Sequence, residues 1–363
     1  MQKTDLTYRP HRLRSVRMQG GQGDVIMAVN GFQAMVELGA DFYDPQLVVH
    51  TRSVAKAVVG IMIPEVTTET LESSQHARHP RYAIVPHTSW TTVVRNWFYP
   101  DYYVDFPERR LLASYGYPRP GPMRRAQLFL TDLKLAAGTS WRRETPAYYG
   151  LKIWAPLAER YGLTETDLMR GLYFAHRTVS DRLHVYTKRL PTDITETSVP
   201  DVAFFPSGGA FQYVPARFIR NLLDLAGVGE KRYACYFAPS DPSLEKYVTA
   251  GLRCRVSATT DALLAVVARA RVTLTADSFP SHIAQLLAPR HIALMSHDLP
   301  QHTVHPAARS AIVYEPQICC PCWYAIRKEN KLCPAGFEAC GVYTMQGYLE
   351  KAATAMKRAL SER

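Results

Sequence analysis

The chain has 363 residues, room for two domains on a prior of about 100–200 residues each. Its hydrophobic content of 47% and charged content of 21% are ordinary for a soluble globular protein. No run approaches the roughly 18 apolar residues of a membrane span, which excludes a helical membrane protein. The net charge of +11, from 43 Lys and Arg against 32 Asp and Glu, favours anionic partners such as nucleic acid, a phosphorylated glycolipid or an anionic membrane face. Arginines gather at Arg9, Arg12, Arg14 and Arg17 and in the pairs Arg109–Arg110, Arg124–Arg125 and Arg142–Arg143. Solvated surface arginine is the other reading of that excess. The polar, basic first residues carry no apolar segment, so neither a secretory leader nor a transmembrane segment is expected, and residence in the cytoplasm is.

In chain order, Leu13 to Met18 alternates apolar and basic residues and reads as a first strand. Gly20-Gly21-Gln22-Gly23 turns the chain, and Val25 to Leu38 has helical spacing. Leu47–His50 and Tyr82–Val85 are the next strand candidates. From Ser89 to Phe106 the periodicity breaks down in a stretch crowded with Trp90, Trp97, Phe98, Tyr99, Tyr102 and Tyr103. Helical spacing resumes at Met123–Ala136, Tyr148–Tyr161 and Glu165–Ala175. Thr187 to Thr197 is polar, contains Pro191 and lacks periodicity, as a linker does. Strands then follow at Val202–Phe205, Tyr233–Phe237, Arg253–Val256, Val272–Thr275 and Ile292–Met295, with helices near Ala216–Leu225, Leu244–Ala250 and Asp261–Ala270. Met345 to Leu360 is an amphipathic helix. The alternation predicts an α/β protein of two Rossmann-like αβα domains facing a central cleft. The expected boundaries are 1–186, a linker at 187–200, a second domain at 201–345 and a terminal helix at 346–363.

The densest chemistry lies between Arg271 and Cys340. The apolar run ending at Thr275 stops at Ala276-Asp277-Ser278-Phe279-Pro280-Ser281-His282, and helical spacing follows at once. Asp and Ser stand where cap residues belong, and Pro280 sits where a first turn tolerates a missing N–H. Backbone N–H groups and the positive end of the helix dipole there suit a pyrophosphate. Ser278 and Ser281 are candidate phosphate or sugar contacts, and His282 a donor to a leaving group; a capped core helix with a buried histidine is the plain alternative. Asp24 follows the first glycine-rich turn, at the C-terminal edge of the first strand, where it is either a helix cap or a catalytic carboxylate.

These segments resemble the family 9 glycosyltransferases, the ADP-heptose:lipopolysaccharide heptosyltransferase-like enzymes of GT-B fold. The family's Asp-(Ser/Thr)-Gly-Pro-x-His-(Leu/Ile)-Ala turn is matched by Asp277 to Ala284, and its Gly-Asp-Val-(Ile/Leu) start of the first helix by Gly23 to Ile26. Its cysteine pattern is matched through Cys319-Cys320-Pro321-Cys322, Cys333-Pro334-Ala335-Gly336 and Cys340, and Phe205 to Gly209 with Tyr213-Val214-Pro215 is a weaker match. The four matches come in the right order and span nearly the whole chain.

The resemblance implies a metal-independent inverting glycosyltransferase using a nucleotide-sugar donor, with Asp24 as the base and His282 beside it in the catalytic set. Donor contacts are expected from Ser207, Gly208, Gly209, Gln212, Tyr213, Asp277, Ser278, Phe279 and Ser281. Acceptor contacts are expected from Gln22, Gly23, Trp97, Arg109 and Arg110. Two departures stand out: Phe279 replaces the family's glycine, and Gln212-Tyr213 replaces its Lys-Arg, so the donor need not be ADP-heptose. Cys319, Cys322, Cys333 and Cys340 have the spacing of a structural zinc site, with packed thiols or a disulfide as the alternatives. No cofactor is expected for catalysis itself.

The family's usual acceptor is lipopolysaccharide core or a related surface glycan, which would bring a peripheral membrane contact. A second reading keeps the chemistry and takes a hydroxymethylated base in viral DNA, flipped out of its stack. Aromatic stacking and arginine at Trp97, Arg109 and Arg110 suit either acceptor. A catalytically silent binding protein of GT-B fold is the third reading.

Overall fold

The structure is a computed structural model and describes residues 12–18, 22–51, 53–70, 83–85, 104–105, 148–151, 154, 158, 161–194, 198–208, 213–296, 298–315 and 339–362. These form two compact units. The first holds strands β1 (Leu13–Met18), β2 (Tyr43–Thr51), β3 (Thr67–Thr70), β4 (Ala83–Val85) and β5 (Val104–Asp105). It also holds helix α2 (Ser53–Met62), most of α1 (Gln22–Glu37) and the start of α3 (Glu165–Arg189). Its sheet is parallel, in the order β3-β2-β1-β4-β5. Its core is aromatic: Phe32, Phe42 and Trp154 meet with ring centroids 5.0–5.8 Å apart, in edge-on pairs. The Trp154 indole N–H donates to the Ala28 carbonyl at 2.7 Å. Gly31 permits this packing, because a Cβ there would stand 2.3 Å from the Gly150 carbonyl oxygen.

The second unit takes residues 22–27 of α1, Tyr148, α3 from His176 onward, and everything after it. Its strands are β6 (Val202–Phe205), β7 (Tyr233–Phe237), β8 (Cys254–Val256), β9 (Val272–Ala276), β10 (His291–Leu294) and β11 (Ala311–Val313). Its helices are α4 (Ala216–Ala226), α5 (Leu244–Thr249), α6 (Thr260–Arg269), α7 (Phe279–Leu287), α8 (Pro300–Thr303) and α9 (Gln346–Ser361). The parallel sheet runs β11-β10-β9-β6-β7-β8. The chain therefore starts in the middle at β6, winds outward through β7 and β8, and returns to β9 on the other side. That reversal between β6 and β9 is the topological switch point, outside whose strand C-termini ligands bind in such sheets.

Local rules account for these elements. Apart from His291, the β6, β7, β9 and β10 runs are apolar or β-branched, and all are buried throughout, as strands covered on both faces must be. Thr259 caps α6 by accepting the Ala262 N–H at 3.1 Å. Gly227 ends α4 with a left-handed φ of 69°. The terminal helix α9 belongs to the second unit's core: Tyr348 packs on Phe218 and Tyr343, and its hydroxyl donates to the carbonyls of Met295 at 3.0 Å and Val313 at 3.2 Å.

The sequence reading needs several corrections. The helix read at Glu165–Ala175 runs on to Arg189, three residues into the stretch read as linker. Thr164 and Asp167 start it reciprocally, each side chain accepting the other's backbone N–H. Its second half is held down by His176, whose Nε2 lies 3.0 Å from the Gln285 carbonyl, and by Ser180, which donates to the Leu286 carbonyl at 2.6 Å. Strands β3, β5 and β11 are too short to stand out, helix α2 was missed although Val54, Ala55, Val58, Val59 and Met62 are apolar at helical spacing, and the strand expected at Tyr82–Val85 is the fourth, not the third. The helix expected at Met123–Ala136 lies outside the described residues. Among the described residues no helix is long and apolar enough to cross a membrane.

Candidate active site

Strand β9 delivers Asp277 and Ser278 to the C-terminal edge of the second sheet at the switch point, and α7 begins at the next residue. Ser278 occupies the cap position with extended backbone, but its hydroxyl does not cap. It turns back to donate to the Ala276 carbonyl at 3.1 Å. The first turn of α7 thus has no side-chain cap, and Pro280 contributes no N–H; the positive dipole end faces the edge where an anion would lie. Ser281, expected to touch phosphate or sugar, is buried in the first turn of the helix, with its N–H on the Ser278 carbonyl at 2.9 Å. Phe279 is half-buried at the helix start.

His282 lies one turn into α7, buried against the start of α1. A Cβ on Gly23 would come within 2.5 Å of the imidazole Cδ2 and 2.6 Å of Nε2, so only glycine admits this approach. The next residue, Asp24, is half-buried in the first turn of α1, and its charge reaches Asp277. Gln22 precedes them, half-buried. The structure therefore brings together Gly23, Asp24, Asp277 and His282, which the sequence separates by some 250 positions.

Burial sets the charge states. The Asp277 carboxyl is pushed up to about 8, first by desolvation and then by the charges of Asp298 and Asp24, so at neutral pH it keeps its proton. The His282 imidazole is pushed down to about 4 by desolvation, so it brings a neutral N–H rather than a cation. Behind it, His291 is pushed down to about 3 by burial and by His282, and is held by Thr275 Oγ1 at 2.8 Å and Ser310 Oγ at 2.7 Å.

The neighbouring edge, at the ends of β6 and β7, is more open. Ser207 donates to Asp241, whose other carboxylate oxygen accepts the Ser243 N–H at 2.9 Å and hydroxyl at 2.6 Å. Gly208 is exposed, and the Lys246 ammonium lies 5.4 Å from the centre of the Tyr213 ring, a cation–π arrangement. Gly209 and Gln212 lie outside the described residues, as do Trp97, Arg109 and Arg110. Cys319, Cys322 and Cys333 lie there too. Cys340 is buried with its thiol toward the Ser296 carbonyl at 3.4 Å, and among the described residues no His, Cys, Asp and Glu group is arranged to hold a metal.

Sequence reasoning missed Asp241, Lys246 and Asp298. His302 and His305 are both buried. His302 Nδ1 meets Asp298 Oδ1 at 2.7 Å. Asp298 lies in the loop just before α8 and is only four residues from His302, so the two side chains meet across the start of that short helix. His297 lies outside the described residues.

No family model and no curated protein matches this sequence. Solved structures do match. Escherichia coli ADP-heptose lps heptosyltransferase II is 16% identical with a TM-score of 0.58, over 96% of this chain and 99% of that one. The glycosyl transferase family 9 structure from Veillonella parvula is 14% identical with a TM-score of 0.52, over 98% and 99%. The iron-containing dodecameric heptosyltransferase TibC, from enterotoxigenic E. coli, is 10–11% identical with a TM-score of 0.52, over 96% of this chain and 78% of that one. The chain has the two-sheet, GT-B fold of these glycosyltransferases, as its Gly23–Ile26 and Asp277–Ala284 motifs anticipate.

Proposed function

We propose that this protein is an inverting glycosyltransferase that moves a sugar from a nucleotide-sugar donor to a hydroxyl of an anionic acceptor. The observation that carries the reading is the meeting of Asp24, Asp277 and His282 at the uncapped start of α7. The donor's diphosphate lies at that helix start, where dipole and backbone N–H groups take up charge as it leaves. Asp24 accepts the proton of the acceptor hydroxyl while that oxygen bonds to the sugar carbon and the carbon–phosphate-oxygen bond breaks, with inversion. Protonated Asp277 and neutral His282 each offer a hydrogen bond without adding to, or subtracting from, the donor's charge.

A surface glycan such as lipopolysaccharide core is the acceptor favoured by the fold's relatives and by the chain's positive charge. DNA as acceptor rests on Trp97, Arg109 and Arg110, outside the described residues. The test is product formation from a panel of nucleotide sugars, including ADP-heptose, with lipopolysaccharide core and with hydroxymethylated duplex as acceptors. Transfer to the glycan supports the proposal, transfer to the duplex alone replaces the acceptor, and no transfer with either rejects it. We propose that no resident metal is needed. Activity that persists in chelator supports this, and loss restored by a divalent ion overturns it.

A further inference from the structure

The second sheet has another opening at its opposite edge. The donor reading uses the strand C-termini, whereas a cleft of about 700 Å³ lies at the strand N-termini, where β7 begins at Tyr233 and β8 at Cys254. Strand β7 is 5 residues long, so the two edges stand about 16 Å apart. Hydrogen bonds fix the walls of the cleft. The Ser198 carbonyl accepts from Arg255 Nη1 at 2.7 Å. The 3-10 turn at Glu230–Arg232 is closed by the Arg232 N–H on the Gly229 carbonyl at 2.9 Å, and Arg232 Nε donates to Asp201 at 2.7 Å. Opposite, the turn into β8 has Gly251 at a left-handed φ of 73° and the Leu252 N–H on the Tyr247 carbonyl at 3.1 Å. Tyr233 and Leu252 add apolar surface to the lining.

Cations gather here without matching acids. Lys231 and Arg253 line the cleft, and Arg253 Nη1 donates to the Lys231 carbonyl at 3.1 Å, which fixes the guanidinium beside that turn. Arg220, from α4, reaches the same lip, with its Nη2 3.5 Å from where a Cβ on Gly251 would stand. Glu230 is the acid of the lining, and Asp201 is already paired with Arg232. Among the described residues the side chains of Arg220 and Lys231 have no ion pair. Like charges held close together favour a bound dianion, and a phosphate has the oxygens to meet both a guanidinium fork and an ammonium. The volume is that of a small-molecule site, well beyond what a phosphate ion fills. We propose that this cleft binds a phosphorylated small molecule, with the phosphate on Lys231, Arg253 and Arg220 and the organic part against Tyr233 and Leu252. It is a site separate from that of the donor.

The test is calorimetric titration of the full chain with glucose 6-phosphate and with inorganic phosphate at fixed ionic strength. Saturable binding of the sugar phosphate is expected, weakening as salt is raised because the cations are exposed. Lys231→Ala and Arg253→Ala should each weaken it by about three- to tenfold, the scale of one screened charge-assisted contact. Lys246→Ala, at the opposite edge, should leave it unchanged. Thermal melting accompanies each variant, and Lys231→Ala alone decides the matter if Arg253→Ala does not fold, since the exposed Lys231 side chain has no ion pair to lose. Absence of saturation below about 10 mM overturns the proposal. So does an unchanged affinity in folded Lys231→Ala. A loss in Lys246→Ala alone assigns the phosphate to the donor edge and overturns it too. Tighter binding of the sugar phosphate than of inorganic phosphate supports an organic ligand, and equal affinities overturn that part of the proposal.

Discussion

The two halves of the candidate site, both on the second sheet, are built on opposite principles. At the end of β9, Asp277 and His282 are buried; desolvation sets the charge of both, and neighbouring aspartates add to it at Asp277. At the ends of β6 and β7, Ser207, Tyr213 and Asp241 are only half-buried and Lys246 is exposed; water remains close enough to screen their charges. The buried edge is preorganised, as stabilising developing charge requires. The open edge, with a flexible lysine on a tyrosine ring, is suited to recognition. Changes at the first edge should therefore alter turnover, and changes at the second should alter affinity.

The largest effect is expected at Asp24. Asp24→Asn should keep the fold and donor affinity and lower turnover by about 10²–10⁴-fold, the contribution of a positioned base. Turnover near that of the parent, measured at saturating donor, would take Asp24 out of the mechanism. Next is Gly23→Ala, whose new methyl group must displace the His282 ring or the start of α1. A shift of that kind should cost roughly 10- to 100-fold in turnover. If activity and melting temperature both stay at parental values, the contact is not part of the site.

The buried edge should also leave a mark on stability. Asp277 holds its proton up to about pH 8 when folded and only to about 3.8 when unfolded, so its contribution is lost as pH rises from about 4 to about 8. His282 runs the other way: neutral down to about 4 when folded, it loses stability as pH falls from 6.5 toward 4. The two oppose each other below 6.5, leaving the Asp277 slope alone between 6.5 and 8. Melting temperature should therefore fall across that interval in the parent, and the fall should vanish in Asp277→Asn; a fall of equal size in the variant would assign the slope to other groups. The smallest effect belongs to the open edge. Lys246→Ala should weaken nucleoside diphosphate binding by about two- to five-fold with turnover unchanged, the scale of an exposed cation–π contact. A loss in turnover instead, at saturating donor, would erase the contrast between the edges.

The cysteine-rich segment shows where reading stopped for a different reason. Its spacing admits zinc, packed thiols or a disulfide, and Cys340 alone is described, with its thiol on a carbonyl. Spacing constrains which ligands are close in the chain, while a metal site is a matter of angles and distances among all four.

The sequence by itself determined the alternation of strands and helices in the second unit, because fully buried parallel strands must be continuous apolar or β-branched runs. Val202–Phe205 and Tyr233–Phe237 were legible to the residue on that ground. It also determined the turn at Asp277–His282 and the Gly23-Asp24 pair, since both are local statements about a strand end and a helix start. In the first unit Thr67–Thr70 is polar and short, and it is a strand only because β2 pairs with it. Tertiary structure alone decided the charge states. That Asp277 holds a proton and that His282 does not depend on burial and on neighbours far apart in the chain. Desolvation and Coulomb energies are functions of distance in space, and no local pattern in the sequence contains that distance.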